Sequence, residues 1–256
     1  MKNAMTLLND LPRPVLFAHR GACAHAPENT MESFQLAFEQ GADGIELDAK
    51  LSADGEVVVV HDGTVDRTTN GKGRVRDLRL DELRALDAGS FFSEKYRGAK
   101  IPTLDEVFGA FGKRGIINVE LTNYYAGRDD LAEKVCALVK KHALQERVLF
   151  SSFFAYNLKI TAEILPEVPR GLLASAGWLG AWARSFGFMF GDYQALHPNL
   201  RDVNPQQVQR VHRLKRRVHV WTVNAAEDAA RLKSWGVDGL FTDDPRTVLG
   251  ALGRGA

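Results

Sequence analysis

Short β-branched and aromatic runs alternate along this chain with longer stretches whose apolar positions recur at helical spacing. Residues 15–20 predict a strand. Residues 30–42 follow as a helix, with Met31, Phe34, Ala37 and Phe38 on one face. Thr30 is its expected N-cap, Ser33 lies in its first turn, and Gly41 is its expected stop. Residues 44–51 predict a second strand, which Asp54-Gly55 turns back into a hairpin partner at 56–62. Residues 62–100 break the rhythm. They are rich in Thr, Gly, Arg and Asp, with one short helix expected at 79–86. A helix at 101–112 then carries Thr103 and Glu106 at capping-box spacing. Strands at 115–122, 148–153, 170–175, 193–199, 217–224 and 239–244 complete the pattern. Helices at 129–144, 157–165, 178–186, 204–215 and 225–236 separate them, with Pro205 in the first turn of the fourth.

Eight main strands with helices between nearly all of them imply a parallel sheet. The length of 256 residues is near the ~250 typical of a closed (β/α)8 TIM barrel. An open doubly wound sheet is the alternative. It would usually carry a glycine-rich phosphate turn after an early strand, and neither GxGxxG nor GxxxxGK[ST] occurs. The expectation is one α/β barrel domain over residues 1–256, with a small insertion after the second strand at about 62–100.

Composition narrows the partners. A hydrophobic content of 45% allows a substantial core, and a net charge of +1 gives no general pull toward nucleic acid or membrane. The basic group Arg210, Arg213, Lys215, Arg216 and Arg217 reads as a solvated helix face and the turn after it. Cys23 and Cys136 belong to no CxxC or Cys/His cluster, which argues against zinc and a disulfide framework and for a reducing compartment. Near the start, Asn9, Asp10, Pro12 and Pro14 stand where a signal peptide needs an unbroken apolar core. That reads as a mature start and a cytoplasmic protein. No apolar run has the length of a membrane span, and the most hydrophobic one, 177–191, is interrupted by glycines and Arg184. Stable membrane insertion is not expected, and no signal bears on oligomeric state.

A barrel places its active site at the C-terminal ends of its strands. The first strand ends at His19 and Arg20, the hairpin's return strand at His61 and Asp62, and the last at Asp243 and Asp244. The second strand carries Glu46 and Asp48, the third Glu120, and the seventh Trp221 and Asn224. Glu46 and Asp48 are two apart and point to one face. Inward carboxylates repel and cost desolvation energy, so they hold a divalent metal, share a proton or are salt-bridged. A third acid on a neighbouring strand, with no cysteine, favours a hard ion, Mg²⁺ or Ca²⁺. Two histidines flanking the acids suggest a general acid/base pair, and the planar fork of Arg20 suits phosphate. Together they read as phosphoryl chemistry. His197 reads as structural. Phe153, Phe154, Trp178 and Trp182 read as core, or as an apolar rim for a greasy leaving group.

"HRG" with "PENT", the stretch from Gly41 to Gly73, "IPTLDEV", "VEL" and "VHVWTVN" resemble the glycerophosphodiester phosphodiesterases, in order, over residues 15 to 248. The resemblance implies a (β/α)8 barrel with a segment inserted after the second strand. It implies His19 and His61 as the acid/base pair and Glu46, Asp48 and Glu120 as ligands of one divalent cation. Arg20 would hold the phosphate, and Trp221 would line the pocket near glycerol or the leaving group. Glu28 and Asn29 would brace the first loop, with Asp62 beside His61 in support. The family hydrolyses glycerophosphodiesters to sn-glycerol 3-phosphate and an alcohol.

One position departs. Members commonly carry Glu-x-Lys on the third strand, the lysine helping to bind phosphate. Here the stretch is Glu120-Leu121-Thr122. Thr122 keeps the inward direction without the charge, so substrate affinity changes or another cation compensates. Arg128 and Lys159 are candidates. The loop at 123–130 is expected either to contact substrate or to lie on the surface. Two rival functions remain: lysophospholipase D-like cleavage, with 177–191 as an acyl groove, and a silent phosphodiester-binding protein. Retention of both histidines and all three acids ranks the silent reading last.

Overall fold

The computed structural model describes residues 4–124 and 128–254. A short helix, α1 (Met5–Asp10), precedes strand β1 (Val15–Ala18) and helix α2 (Met31–Glu39). Strand β2 (Gly44–Leu51) and its antiparallel partner β3 (Val57–Val59) form the hairpin, turned at Gly55 with φ +80°. The segment between β3 and α4 (Leu104–Phe111) holds α3 (Leu80–Ala85) and two single 3₁₀ turns. It has its own small core of Val60, Val65, Val75, Leu83, Ala88 and Ile101. Then β4 (Ile116–Leu121), α5 (Leu131–Lys141), β5 (Val148–Ser152), α6 (Ala155–Ile164) and β6 (Arg170–Ala174) follow. After them come α7 (Phe188–Phe190), β7 (Ala195–Pro198), α8 (Pro205–Arg213), β8 (Arg217–Val220), α9 (Ala226–Ser234), β9 (Gly239–Thr242) and α10 (Pro245–Ala251).

Strand order is β1-β9-β8-β7-β6-β5-β4-β2-β3, and β1 also pairs with β2. Eight parallel strands therefore close into a barrel, and β3 hangs on its rim. Period-two alternation sorts the side chains. Ile45, Leu47 and Ala49 of β2, and Ile117, Val119 and Leu121 of β4, join the apolar layer under the helices. Glu46, Asp48 and Lys50, with Asn118 and Glu120, therefore face the barrel interior. At the N-terminal end the interior is apolar: Val15, Phe17, Ile116, Leu149 and Phe241 pack over Leu8 of α1. The sequence pattern had not indicated α1 or α10.

Helix starts follow the caps read from sequence. Thr30 Oγ1 accepts from the Ser33 N–H, and Thr103 Oγ1 accepts from the Glu106 N–H while Glu106 returns to the Thr103 N–H. The helix expected at 178–186 is different. A 3₁₀ turn at Gly177–Gly180 leads into a wide turn at Ala183–Gly187, broken at Ser185 (φ −127°, ψ −108°). Arg184 folds back here, donating to the Ser175 carbonyl at 2.6 Å and pairing with Asp202 at 3.1 Å. Trp178, Leu179, Trp182, Phe186 and Phe190 are left on the surface rather than buried.

Candidate active site

The loop after β1 starts the site. Gly21 has φ +83°, and a Cβ there would lie 2.3 Å from Ser33 Oγ. Arg20 is itself left-handed, at φ +56°, a conformation that costs a non-glycine residue of order 1–3 kcal/mol. Local bonds hold it. The Arg20 N–H donates to Glu46 Oε2 at 3.0 Å, and its carbonyl accepts from Ser33 Oγ and the Asn29 N–H, both at 3.0 Å. Gly21→Ala is accordingly expected to destabilise the protein by ~2 kcal/mol, or several degrees in Tm, and to lower activity further by displacing Arg20. Thermal unfolding alongside kinetics checks this; an unchanged Tm would contradict the packing argument.

Residues on or just after every strand of the barrel converge on a pocket of about 250 Å³, among them His19, Arg20, Glu46, His61, Glu120 and Trp221. A larger cleft of about 920 Å³ lies under α1 at the opposite end of the barrel and receives no strand C-terminus. His19 Nδ1 is 2.7 Å from Asp243 Oδ1, and His61 Nδ1 is 2.7 Å from Asp62 Oδ1. Each imidazole is thus held through Nδ1 by a carboxylate, leaving Nε2 as the ring nitrogen for the pocket. Asn224 donates to the other oxygen of Asp243, at 2.6 Å. Arg67 ties the rim together, bonding Asp62 at 2.8 Å and Glu28 through two nitrogens at 2.7 and 2.8 Å. Glu28 also accepts from Arg20 at 3.0 Å. Arg67 holds the Asp62 carboxyl far below the usual range; burial works against this, and the His61 bond adds to it. Burial and the Asp243 carboxylate push the Cys23 thiol up, and its Sγ donates to Asp243 Oδ1 at 3.1 Å.

Glu46, Asp48 and Glu120 bring one oxygen each within 4.8 Å of one another. Register explains this: Asp48 stands opposite Glu120 on paired parallel strands, and Glu46 is two residues deeper on the same face. Asn29 donates to Asp48 Oδ2 at 2.9 Å, and Arg20 Nε lies 3.5 Å from the same oxygen without a hydrogen bond. Tyr124 donates to Glu120 Oε1 at 2.7 Å and accepts from the Phe153 N–H at 3.2 Å. Glu46 Oε1 is buried with no hydrogen-bond partner. Burial, then the negative charge of Asp48 and Glu120, raises Glu46 well above the ordinary carboxyl range. Burial and Asp48 push Glu120 up to about 8, the Tyr124 bond opposing them. Burial is the largest single influence on Asp48 and disfavours its charge, but Arg20, His61, Lys50 and the Asn29 bond together outweigh it and hold Asp48 below its ordinary value. An orphaned buried oxygen among three acids short of positive charge fits a hard divalent cation.

Trp221 donates from Nε1 to the His197 carbonyl at 2.8 Å and sets its ring against Phe153, centroids 5.7 Å apart. His197 is fully buried, 3.2 Å from His219, and burial with that neighbour keeps it neutral. Thr122, the expected substrate contact, lies beside the pocket. It is buried, does not line the pocket, and its hydroxyl is engaged by Lys50 Nζ at 2.5 Å and donates to the Ala49 carbonyl. Arg128 lies over the Tyr156 ring, and Lys159 is an exposed partner of Glu163, so neither reaches the pocket. Residues 125–127 of the 123–130 loop lie outside the described residues. Sequence reasoning missed Arg67, Tyr124 and Lys50, and gave Asp243 no role. Two of these had a signal: Asp243 stands at the end of the last strand, and Lys50 shares the alternation that turns Glu46 and Asp48 inward.

A family model for the glycerophosphoryl diester phosphodiesterase family matches residues 19–247. A glycerophosphodiester phosphodiesterase of Caldanaerobacter subterraneus subsp. tengcongensis is 39% identical, covering 95% of this chain and 99% of that one. Among solved structures, an Oleispira antarctica phosphodiesterase in complex with the product sn-glycerol-3-phosphate is 32% identical, with a TM-score of 0.86 over 96% of this chain and 99% of that one. A glycerophosphodiester phosphodiesterase from Agrobacterium tumefaciens aligns with a TM-score of 0.78 at 28% identity, covering 92% and 98%. With the family's model spanning nearly the whole barrel, this chain belongs to the glycerophosphoryl diester phosphodiesterase family.

Proposed function

We propose that this protein hydrolyses glycerophosphodiesters to sn-glycerol 3-phosphate and an alcohol, with a divalent cation, Mg²⁺ or Ca²⁺, on Glu46, Asp48 and Glu120. The observation that carries this is the convergence on one pocket of two carboxylate-braced imidazoles, three unbalanced acids and Arg20. When bound, the cation neutralises charge on the phosphoryl oxygens. Arg20 sets a guanidinium beside the same centre. One of His19 and His61 removes the proton from the attacking oxygen at its Nε2, and the other delivers a proton to the leaving alkoxide. Asp243 and Asp62 fix the tautomers and stabilise each imidazolium as it forms. Trp221 walls the pocket on the glycerol or leaving-group side. The whole barrel acts as one unit, with the 62–100 segment supplying Arg67 to the rim.

A specific observation supports a second reading, cleavage of lysophospholipids. Trp178 and Phe190 are 84% and 80% exposed, and Leu179, Trp182 and Phe186 add to the same apolar surface after β6. Assay of glycerophosphocholine and lysophosphatidylcholine after EDTA, with Mg²⁺ or Ca²⁺ added back, separates the two. Sn-glycerol 3-phosphate released only with metal is the expected result. Faster turnover of the lysolipid selects the second reading. Tight binding without turnover under every metal would overturn both.

A further inference from the structure

Lys50 is a buried ammonium that no step above uses. It follows Glu46 and Asp48 on the inward face of β2, one layer nearer the C-terminal end of the barrel, and is only 6% exposed. Its Nζ donates to the Thr122 carbonyl at 3.0 Å and to Thr122 Oγ1. Both acceptors are neutral. The hydroxyl can accept because its own proton is spent on the Ala49 carbonyl at 2.8 Å. An ammonium has three donors, and among the described residues the third has no hydrogen-bond partner. The carboxylates of Asp48, Glu120 and Asp62 act on it through space without a hydrogen bond, which sets it in the field of the acid cluster and leaves its third donor for an anionic ligand. With Thr122 it lines a niche of about 50 Å³ next to the 250 Å³ pocket, bounded also by Gly63, Arg76, Asn123 and Asp129, beside the loop that carries His61.

Arg20, the positive charge already beside the acids, is shared with Glu28 at 3.0 Å and Asp48 at 3.5 Å, whereas Lys50 makes no ion pair among the described residues. We propose that Lys50 binds a non-bridging phosphate oxygen of the substrate, as the second fixed positive charge beside Arg20, and that Thr122 is its anchor rather than a substrate contact. This rests on the phosphodiesterase reading. It also accounts for a threonine at 122: the charge arrives from β2, and the neighbouring strand needs only a small acceptor to hold it.

The test compares wild-type protein with Lys50→Met, Thr122→Val and the exchange Lys50→Thr/Thr122→Lys, each checked for fold by circular dichroism and Tm. Three quantities are read: KM for glycerophosphocholine, the Kd of sn-glycerol 3-phosphate, and the Kd of Ca²⁺ alone. Losing one charged hydrogen bond should raise KM and the product Kd in Lys50→Met by roughly 10- to 100-fold. The Ca²⁺ Kd should hold or tighten, because a positive neighbour has gone. The exchange should recover most of the lost phosphate affinity, since the charge returns from the adjacent strand. Thr122→Val keeps the charge but frees it, and should give a smaller rise, roughly threefold to tenfold. Product affinity within twofold of wild type in folded Lys50→Met overturns the proposal. So does parallel loss of Ca²⁺ and product binding, which marks a structural role. If Lys50→Met does not fold, an unaltered KM in Thr122→Val overturns it instead. Wild-type protein that neither binds the product nor turns over any diester would sink the phosphodiesterase reading, a distinct failure.

Discussion

Alanine at His19 or His61 is expected to lower kcat by roughly 10²–10⁴-fold, with KM much less affected. The two rings follow two strands that pair with β2, one after β1 and one after β3, and each is locked through Nδ1 by its own carboxylate at 2.7 Å. That shared arrangement supports two proton-transfer roles rather than one. Asp243→Asn makes a graded companion. The amide can keep contact with His19 but cannot balance an imidazolium, so kcat should fall less than in His19→Ala, and its pH profile should change while that of His61→Ala should not resemble it. Steady-state kinetics across pH 5 to 9, at saturating metal, read all three variants. Near wild-type turnover in either alanine variant would remove the pair from the mechanism.

The second large effect concerns the acids. Glu120→Gln is expected to weaken divalent-cation binding by at least roughly 100-fold, the upper end of what losing a mere outer partner costs. Activity should fall with it at limiting metal. The same site makes a pH prediction on the metal-free protein. Burial and Asp48 raise Glu120 to about 8, above the value it has when unfolded, so the folded state prefers it protonated. Its contribution to stability is fully present below the unfolded pKa near 4.5 and is lost as pH rises through about 8. Glu46 is raised too and acts in the same direction. Metal-free protein should therefore lose Tm between about pH 5 and pH 8.5. Added Mg²⁺ or Ca²⁺ should restore more Tm at the higher pH, and its binding at pH 7 should release protons. Thermal unfolding with and without EDTA at the two pH values, with titration calorimetry in buffers of different ionisation enthalpy, tests both halves. A metal-induced Tm shift that does not depend on pH, with no proton release, would exclude these carboxyls as the binding site.

Much of this molecule was legible in one dimension because its periodicities are local. Alternation along 44–51 and 115–122 put Glu46, Asp48 and Glu120 on the face opposite Ile45, Leu47, Ile117 and Val119, and the strands obey it. Capping at Thr30 and Thr103 is likewise a matter of a few neighbouring residues. The segment at 178–186 failed the same reasoning. Its apolar spacing suits a helix, but the chain breaks at Ser185, and Arg184 turns back to the Ser175 carbonyl and Asp202, contacts that local spacing does not encode.

By itself, then, the sequence determined the succession of elements, the inward direction of the acids, and the placing of His19, Arg20 and His61 at strand ends. These follow from residue spacing and from which strand face must be buried. Only the closed barrel decided the partnerships. Joining β1 to β9 sets His19 against Asp243, 224 residues away in the chain. Folding the 62–100 segment over the rim lets Arg67 span Glu28 and Asp62. Register between β2 and β4 puts the ammonium of Lys50 on Thr122, so that a position short of charge in the sequence has one beside it in space. Hydrogen bonds and charges act over a few ångströms of space whatever their separation along the chain, and those distances exist only once the sheet has closed.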